Sequence, residues 1–243
     1  IVNAAFMVVA AVFGAGLLHL GMTIPQLFLI TAILNALVAI YIFTLVPEFL
    51  MRFLAWLLIH LVYRVEKTGL HHIPEEGPAL LVCNHVSFAD AVIIMGVVRR
   101  PVRFVMDHNI FKVPVLSFIF RTSRAIPIAP AKEDPQQLER AYDEVARALE
   151  NGEIVGIFPE GRITDTGEIY PFRGGIKRII DRTAVPVVPM ALRGLWGSFF
   201  SRMGGAAMTK PFRRGLWSRI GLVADTAWAP CEVTPESLQE KVL

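Results

Sequence analysis

The sequence predicts an α/β layer fold behind a pair of membrane-type helices, and three observations predict it. Mean hydropathy is +0.52 and 54% of residues are hydrophobic, above the range of an ordinary soluble domain. No Lys, Arg, Asp or Glu occurs before Glu48. After Lys67 short apolar runs alternate with longer amphipathic ones, the pattern of strands and helices in layers.

Ala4–Met22 forms one uncharged apolar stretch, "TIPQ" (Thr23–Gln26) breaks it, and Leu27–Val46 forms a second. Each holds about 20 residues, enough at about 1.5 Å per residue to cross a bilayer core. Residues 1–47 are therefore expected to be two transmembrane helices. The chain opens at Ile1 with neither Met nor a positively charged start, and is expected to be an excerpt of a longer polypeptide. Residues 48–66 carry Arg52, His60 and Arg64 among apolar residues, with Trp56 and Tyr63, and are expected to form a helix lying at the interface. Arg52, Arg64 and Lys67 on the exit side of the second span place the following domain in the cytoplasm, on the inner membrane if the protein is bacterial.

Residues 67–243 are the expected catalytic domain. Strands are predicted near 79–84, 102–106, 125–128, 153–158 and 186–192. Helices are predicted near 88–98, 114–122, 135–150 and 174–183. Asp134-Pro135 starts one helix and Asn151-Gly152 ends it. The two cysteines, Cys83 and Cys231, exclude a disulfide framework. The net charge of +3 is modest, but the stretch from Arg182 to Arg219, both included, holds seven basic residues and no acid. Trp196, Phe199, Phe200, Phe212 and Trp217 interleave them. Aromatic plus basic residues suit an anionic bilayer surface, and a tethered chain makes nucleic acid the poorer partner.

"LLVCNHVSFADAV" (Leu80–Val92) places a histidine at the mouth of a buried-strand candidate. Ser87 to Asp90 has the spacing of a capping box with Asp in place of Glu, so Asp90 reaches back toward the loop. Asp90 could simply cap the helix. It could instead orient His85, fixing its tautomer and stabilising the imidazolium formed when the other nitrogen takes a proton. No Gly-x-Ser-x-Gly elbow occurs, so the hydroxyl to be activated belongs to the substrate. In "IVGIFPEGRITDTG" (Ile154–Gly167) an apolar strand runs into Glu160-Gly161-Arg162. An arginine beside a glycine turn makes a phosphate fork, and Arg173 is a second phosphate candidate. Neither His71-His72 nor any cysteine has zinc-site spacing. Cys83 reads as a small buried residue, and "FKVPVLSFIF" (Phe111–Phe120) as core or as a wall for a fatty chain.

"NHVSFAD" together with "IFPEGRIT", "YPFRGGIKRI" and "VPVVPMAL" resembles the glycerolipid acyltransferase family over roughly residues 60–230. The resemblance implies a mixed sheet flanked by helices, with His85 and Asp90 as catalytic pair and Glu160, Gly161, Arg162 and Arg173 binding substrate. It implies an acyl thioester of acyl carrier protein or coenzyme A as donor, a lysophospholipid as acceptor, the phospholipid bilayer as partner, and no metal or resident cofactor. "FPEGRIT" is most similar to the 2-acylglycerophosphoethanolamine acyltransferases, and the two spans resemble the last helices of a transporter. Two departures fall where the headgroup is held. "IPIAPAKE" replaces an Ile-Asp-Arg and leaves Lys132 as the nearest cation, and Arg162 follows Gly161 directly. The acceptor is 2-acylglycerophosphoethanolamine or 1-acylglycerol-3-phosphate. A membrane-anchored lipid ester hydrolase and a non-enzymatic lipid-binding transporter tail are the alternatives.

Overall fold

The computed structural model describes residues 2–45, 47–112, 114–209 and 217–242. The chain divides into two units, Ile1–Phe49 and Leu50–Leu243. In the first, α1 (Val2–His19) and α2 (Ile24–Leu45) are apolar around their whole circumference. The "TIPQ" break is a cap. Gln26 Oε1 accepts from the Thr23 amide at 2.9 Å and from its hydroxyl at 3.0 Å, so the helix restarts at Ile24. Ile24–Ile42 is the one described segment long and apolar enough to cross a membrane; its 19 residues rise about 29 Å. The described apolar run of α1, Met7–His19, is shorter.

The second unit is built on a seven-stranded mixed sheet in the order β1-β7-β6-β2-β5-β3-β4. Its strands are β1 (Tyr63–Thr68), β2 (Ala79–Cys83), β3 (Val102–Asp107), β4 (Ile126–Ile128), β5 (Ile154–Ile157), β6 (Val187–Arg193) and β7 (Ser218–Ala224). All neighbours run parallel except β6 and β7, which pair antiparallel from Met190↔Ala224 to Arg193↔Gly221. β2 and β5 sit in the middle and every residue of both is buried, which is why they read as continuous apolar runs. Successive side chains alternate between two cores. Leu81 and Cys83 pack with α4 (Asp90–Val97) and the inner side of α3 (Pro47–Val62). Leu80 and Val82 pack with α6 (Pro135–Glu150), α7 (Gly175–Arg182) and α8 (Pro235–Val242). The helix predicted near 114–122 is α5 (Pro114–Thr122). Asp134 caps α6 by accepting from the Gln137 amide at 2.9 Å.

The domain boundaries need correction. The helix expected over 48–66 ends at Val62, because Tyr63 to Thr68 join the sheet as an edge strand against β7. Its charged residues Arg64, Glu66 and Lys67 suit an edge, where polar side chains block further pairing. From Leu50 onward α3 also belongs to the domain, which therefore begins well before residue 67. Ala55 and Ile59 are buried, while Phe53, Leu54, Trp56, Leu57, Leu58 and Leu61 remain exposed. α3 comes so close to α4 that a Cβ on Gly96 would lie 2.5 Å from Ile59 Cδ1 and 3.1 Å from the Trp56 backbone nitrogen. Gly96→Val is expected to lower unfolding stability by about 1–3 kcal/mol through overpacking. Denaturant titration of the two proteins in the same detergent measures the difference.

Candidate active site

β2 delivers the site at its C-terminal end. Asn84 follows the strand and is buried, and its side chain continues the ladder. Its Nδ2 donates to the Leu192 carbonyl at 3.0 Å, and the Leu192 amide donates to its Oδ1 at 2.7 Å. That locks the end of β2 to β6, and the next residue, His85, is presented from a fixed base.

His85 Nδ1 lies 2.9 Å from Asp90 Oδ2. Asp90 is fully buried and also accepts from the amides of Val86 (2.6 Å) and Ser87 (2.9 Å) and from Ser87 Oγ (2.6 Å). α4 starts at Asp90, so the capping box forms only in part. The carboxylate takes the Ser87 amide, while Ser87 Oγ gives its proton to Asp90 and accepts from the amide of the N-cap residue Ala89 at 3.2 Å. A carboxylate that only accepts makes Nδ1 the protonated nitrogen of His85 and leaves Nε2 with its lone pair. The imidazole is 20% exposed and stacks on Phe158, with ring centroids 4.1 Å apart and planes 11° from parallel. Phe158 stacks in turn on Phe104 at 5.4 Å. Phe104 fills the space over Gly156, where a Cβ would lie 2.5 Å from its ring.

The Phe-Pro-Glu-Gly turn follows β5, the neighbour of β2. Glu160 is buried and spans two segments. Its Oε1 accepts from the His85 amide at 2.6 Å, and its Oε2 from the Tyr170 amide at 2.9 Å. The Thr164 amide donates to the His85 carbonyl at 3.0 Å. Burial pushes the Glu160 carboxyl up, and the nearby Asp90 charge adds to that; the Tyr170 and His85 amides and the charge of His85 pull it back. Gly161 has φ +65°, and a Cβ there would lie 3.0–3.1 Å from the Arg173 guanidinium. Arg162 is exposed, with Cζ 3.7 Å above the Tyr170 ring, and the Tyr170 hydroxyl donates to Asp165. All six residues singled out from sequence thus gather beyond the ends of β2 and β5: His85, Asp90, Glu160, Gly161, Arg162 and Arg173.

Other sequence candidates fall elsewhere. Burial pushes the Cys83 thiol well up, which suits a packing residue. His72 Nδ1 sits 3.2 Å from the Ala224 carbonyl, and His108 Nε2 lies 3.4 Å from Glu133. Among the described residues no three His, Cys, Asp or Glu side chains are grouped to hold a metal ion. In Phe111–Phe120, Phe120 is buried and Phe118 is 65% exposed. The aromatic–basic stretch is only partly surface. Leu195 is buried, Gly167 lies against the Trp196 ring, the Phe88 amide donates to the Phe200 carbonyl, and Ser87 bridges to Ser201. Segment 195–201 therefore backs the His85–Asp90 loop. At the site, the pairing of Asn84 with β6 and this backing strap escape a residue-type reading, since both depend on backbone groups distant in sequence. Lys210, Phe212, Arg213 and Arg214 lie outside the described residues.

Comparisons with known proteins identify the family. The family model described as Acyltransferase matches residues 64–193, more than half of the chain. The chain belongs to that family, the glycerolipid acyltransferases. A chloroplastic 1-acyl-sn-glycerol-3-phosphate acyltransferase of Brassica napus is 28% identical over 148 residues, 60% of this chain and 42% of the relative. A 1-acyl-sn-glycerol-3-phosphate acyltransferase of Bacillus subtilis is 24% identical over 51% of this chain and 59% of its own length. The chain thus spans about half the length of the curated relatives it matches. The crystal structure of the 1-acyl-sn-glycerophosphate acyltransferase PlsC of Thermotoga maritima shares the fold at TM-score 0.60. It is 22% identical, and the match covers 74% of this chain and 69% of that one.

Because the folded-state pKa of Glu160 is raised, the stability contributed by its carboxyl is fully present below its ordinary value of 4.5. That contribution is lost as pH rises through the folded value. The stability deficit of Glu160→Gln relative to the parent is therefore expected to be larger at about pH 4 than at about pH 7. Denaturant titrations of both proteins at the two pH values check the sign.

Proposed function

We propose that this chain carries an O-acyltransferase that moves a fatty acyl group from a thioester to the free glycerol hydroxyl of a lysophospholipid. The observation that carries the reading is the buried Asp90 carboxylate 2.9 Å from His85 Nδ1, which leaves Nε2 as the free acceptor beside the Arg162–Arg173 turn. Nε2 takes the proton of the acceptor hydroxyl while its oxygen attacks the thioester carbonyl. That addition forms the C–O bond; the tetrahedral intermediate then collapses, breaking the C–S bond, and the imidazolium gives its proton to the departing sulfur. Asp90 steadies the imidazolium in between. Arg162 and Arg173 receive the acceptor phosphate, Gly161 lets them close over the turn, and Glu160 keeps that turn against His85. No metal is required.

The acceptor is 1-acylglycerol-3-phosphate or 2-acylglycerophosphoethanolamine. Relatives whose names specify the former support the first, and the "FPEGRIT" wording supports the second. Coenzyme A or acyl carrier protein carries the acyl group. Residues 1–47, with α2 as the clearest span, hold the enzyme in the membrane as a hairpin resembling the end of a transporter. The domain then works on the cytoplasmic face, at the inner membrane in a bacterium, with Arg52, Arg64 and Lys67 marking the inner side.

His85→Ala is expected to lower kcat by about 10²–10⁴-fold, the usual worth of a positioned base. Labelled acyl transfer in a purified membrane fraction reads it, and a near-normal rate from a folded variant removes the base assignment. Arg162→Ala is expected to raise the acceptor KM and leave the donor KM in place. Steady-state titration of each substrate separates the two, and an unchanged acceptor KM takes Arg162 out of the phosphate site.

A further inference from the structure

Tyr170 touches both halves of the site. Its amide donates to Glu160 Oε2 at 2.9 Å, and the other oxygen of that carboxylate accepts from the His85 amide at 2.6 Å. Its half-buried ring lies under Arg162, whose Cζ stands 3.7 Å from the ring centroid. Its hydroxyl donates to Asp165 Oδ1. The segment beyond it is fastened at two more points. The Phe172 amide donates to Gln239 Oε1 at 3.1 Å, and the Arg173 amide donates to the Pro159 carbonyl at 3.0 Å. Arg162, by contrast, follows Gly161 on an exposed turn. A long, solvent-facing cation thus leans on a ring whose backbone is pinned, through one carboxylate, to the loop of the catalytic pair.

The chain offers its own contrast. Arg178 and Arg182 also stand over a tyrosine, Tyr142, at 4.5 and 5.3 Å from the centroid. Both are committed to carboxylates, Arg178 to Glu139 and Arg182 to Glu139 and Asp143. Arg162 differs: among the described residues no carboxylate lies within ion-pair distance of it, and Asp165 gives an oxygen to the Tyr170 hydroxyl instead. A cation over an aromatic face is attracted through the quadrupole of the ring and spends no N–H donor on it. Arg162 therefore keeps the planar fork that a phosphate takes bidentately. An ion pair would hold the side chain as still, but it would have to break when the ligand arrived. The ring removes part of the ordering cost beforehand and leaves the donors open.

We infer that the Tyr170 side chain is a positioning residue for the acceptor phosphate: its ring holds the Arg162 guanidinium in place with the donors free. The inference rests on the acyl-transfer reading above and on Arg162 as the phosphate cation. Any substitution other than proline keeps the Tyr170 amide bond to Glu160, so the side chain is tested alone. In the full chain in detergent, Tyr170→Leu is expected to raise the KM for 1-acylglycerol-3-phosphate about fivefold, with kcat and the donor KM within about twofold of the parent. Tyr170→Phe keeps the ring face and restores the parental KM. Monoacylglycerol, the same acceptor without the phosphate, is used alike by the parent and both variants. In an Arg162→Ala background, Tyr170→Leu adds no further penalty. Tyr170→Met repeats the test should Tyr170→Leu fold poorly. A parental acceptor KM in Tyr170→Leu, a fall in kcat in its place, an equal penalty from Tyr170→Phe, or full additivity with Arg162→Ala overturns the assignment. Binding is read separately, as the preference of each protein for retaining labelled 1-acylglycerol-3-phosphate over monoacylglycerol. That preference is expected to drop about fivefold in Tyr170→Leu and to survive in Tyr170→Phe. If no donor supports transfer, the transferase reading falls, and the binding preference still decides the role of the ring: an unchanged preference overturns it.

Discussion

The site depends on one buried charge. Asp90 lies wholly inside the protein, where an ionised carboxylate is costly unless its oxygens are satisfied. Four donors reach it, three from the turn at Val86 and Ser87 and one from His85. The chain between residues 85 and 90 is therefore wound around the carboxylate, and the imidazole is held as part of that winding. Losing one partner of such a buried set costs about 3–5 kcal/mol, because the remaining charge is left uncompensated. The orientation of His85 thus follows from the folding of its own loop and does not require a bound substrate to impose it.

A second carboxylate joins that loop to the rest of the site. Glu160 is buried, yet it accepts backbone protons from both His85 and Tyr170, which ties the end of β2 to the end of β5 and to the segment carrying Arg173. Behind it the aromatic column His85–Phe158–Phe104 rests on Gly156. A side chain at that glycine would displace Phe104 first, and the shift would pass through Phe158 to the imidazole. The glycine in the middle of β5 is thereby explained by close approach and not by backbone freedom.

Much of this was legible in the residues. The five strands predicted from apolar runs all exist, since buried parallel strands show themselves as uninterrupted Val, Leu and Ile. The spacing of His85 and Asp90 already implied a side chain reaching back over one turn. What escaped is what depends on distant partners. β1 reads as the polar end of a helix because its charges face solvent at the sheet edge. β7 hides in a basic stretch because its apolar residues alternate with Arg219 and Gly221. Asn84 looks like a loop residue until Leu192 is placed beside it. Trp196 and the two phenylalanines after it look like a membrane face until Gly167 and Phe88 are found against them. α8 is too short and too polar to show a period before Leu238 and Val242 are seen to be buried.

The mixed sheet gives the domain two chemically different cationic flanks. At the ends of β2 and β5 two cations, Arg162 and Arg173, stand at a glycine turn that Glu160 ties to the His85 loop. At the β4 edge Arg103 and Arg124 are instead anchored by Glu144 and Glu153. Parallel strands place both flanks on the same α/β scaffold without either one interrupting the core. In the acyl-transfer reading proposed above, the thioester carbonyl meets the hydroxyl over Phe158, where the imidazole carries the lone pair that Asp90 leaves unclaimed.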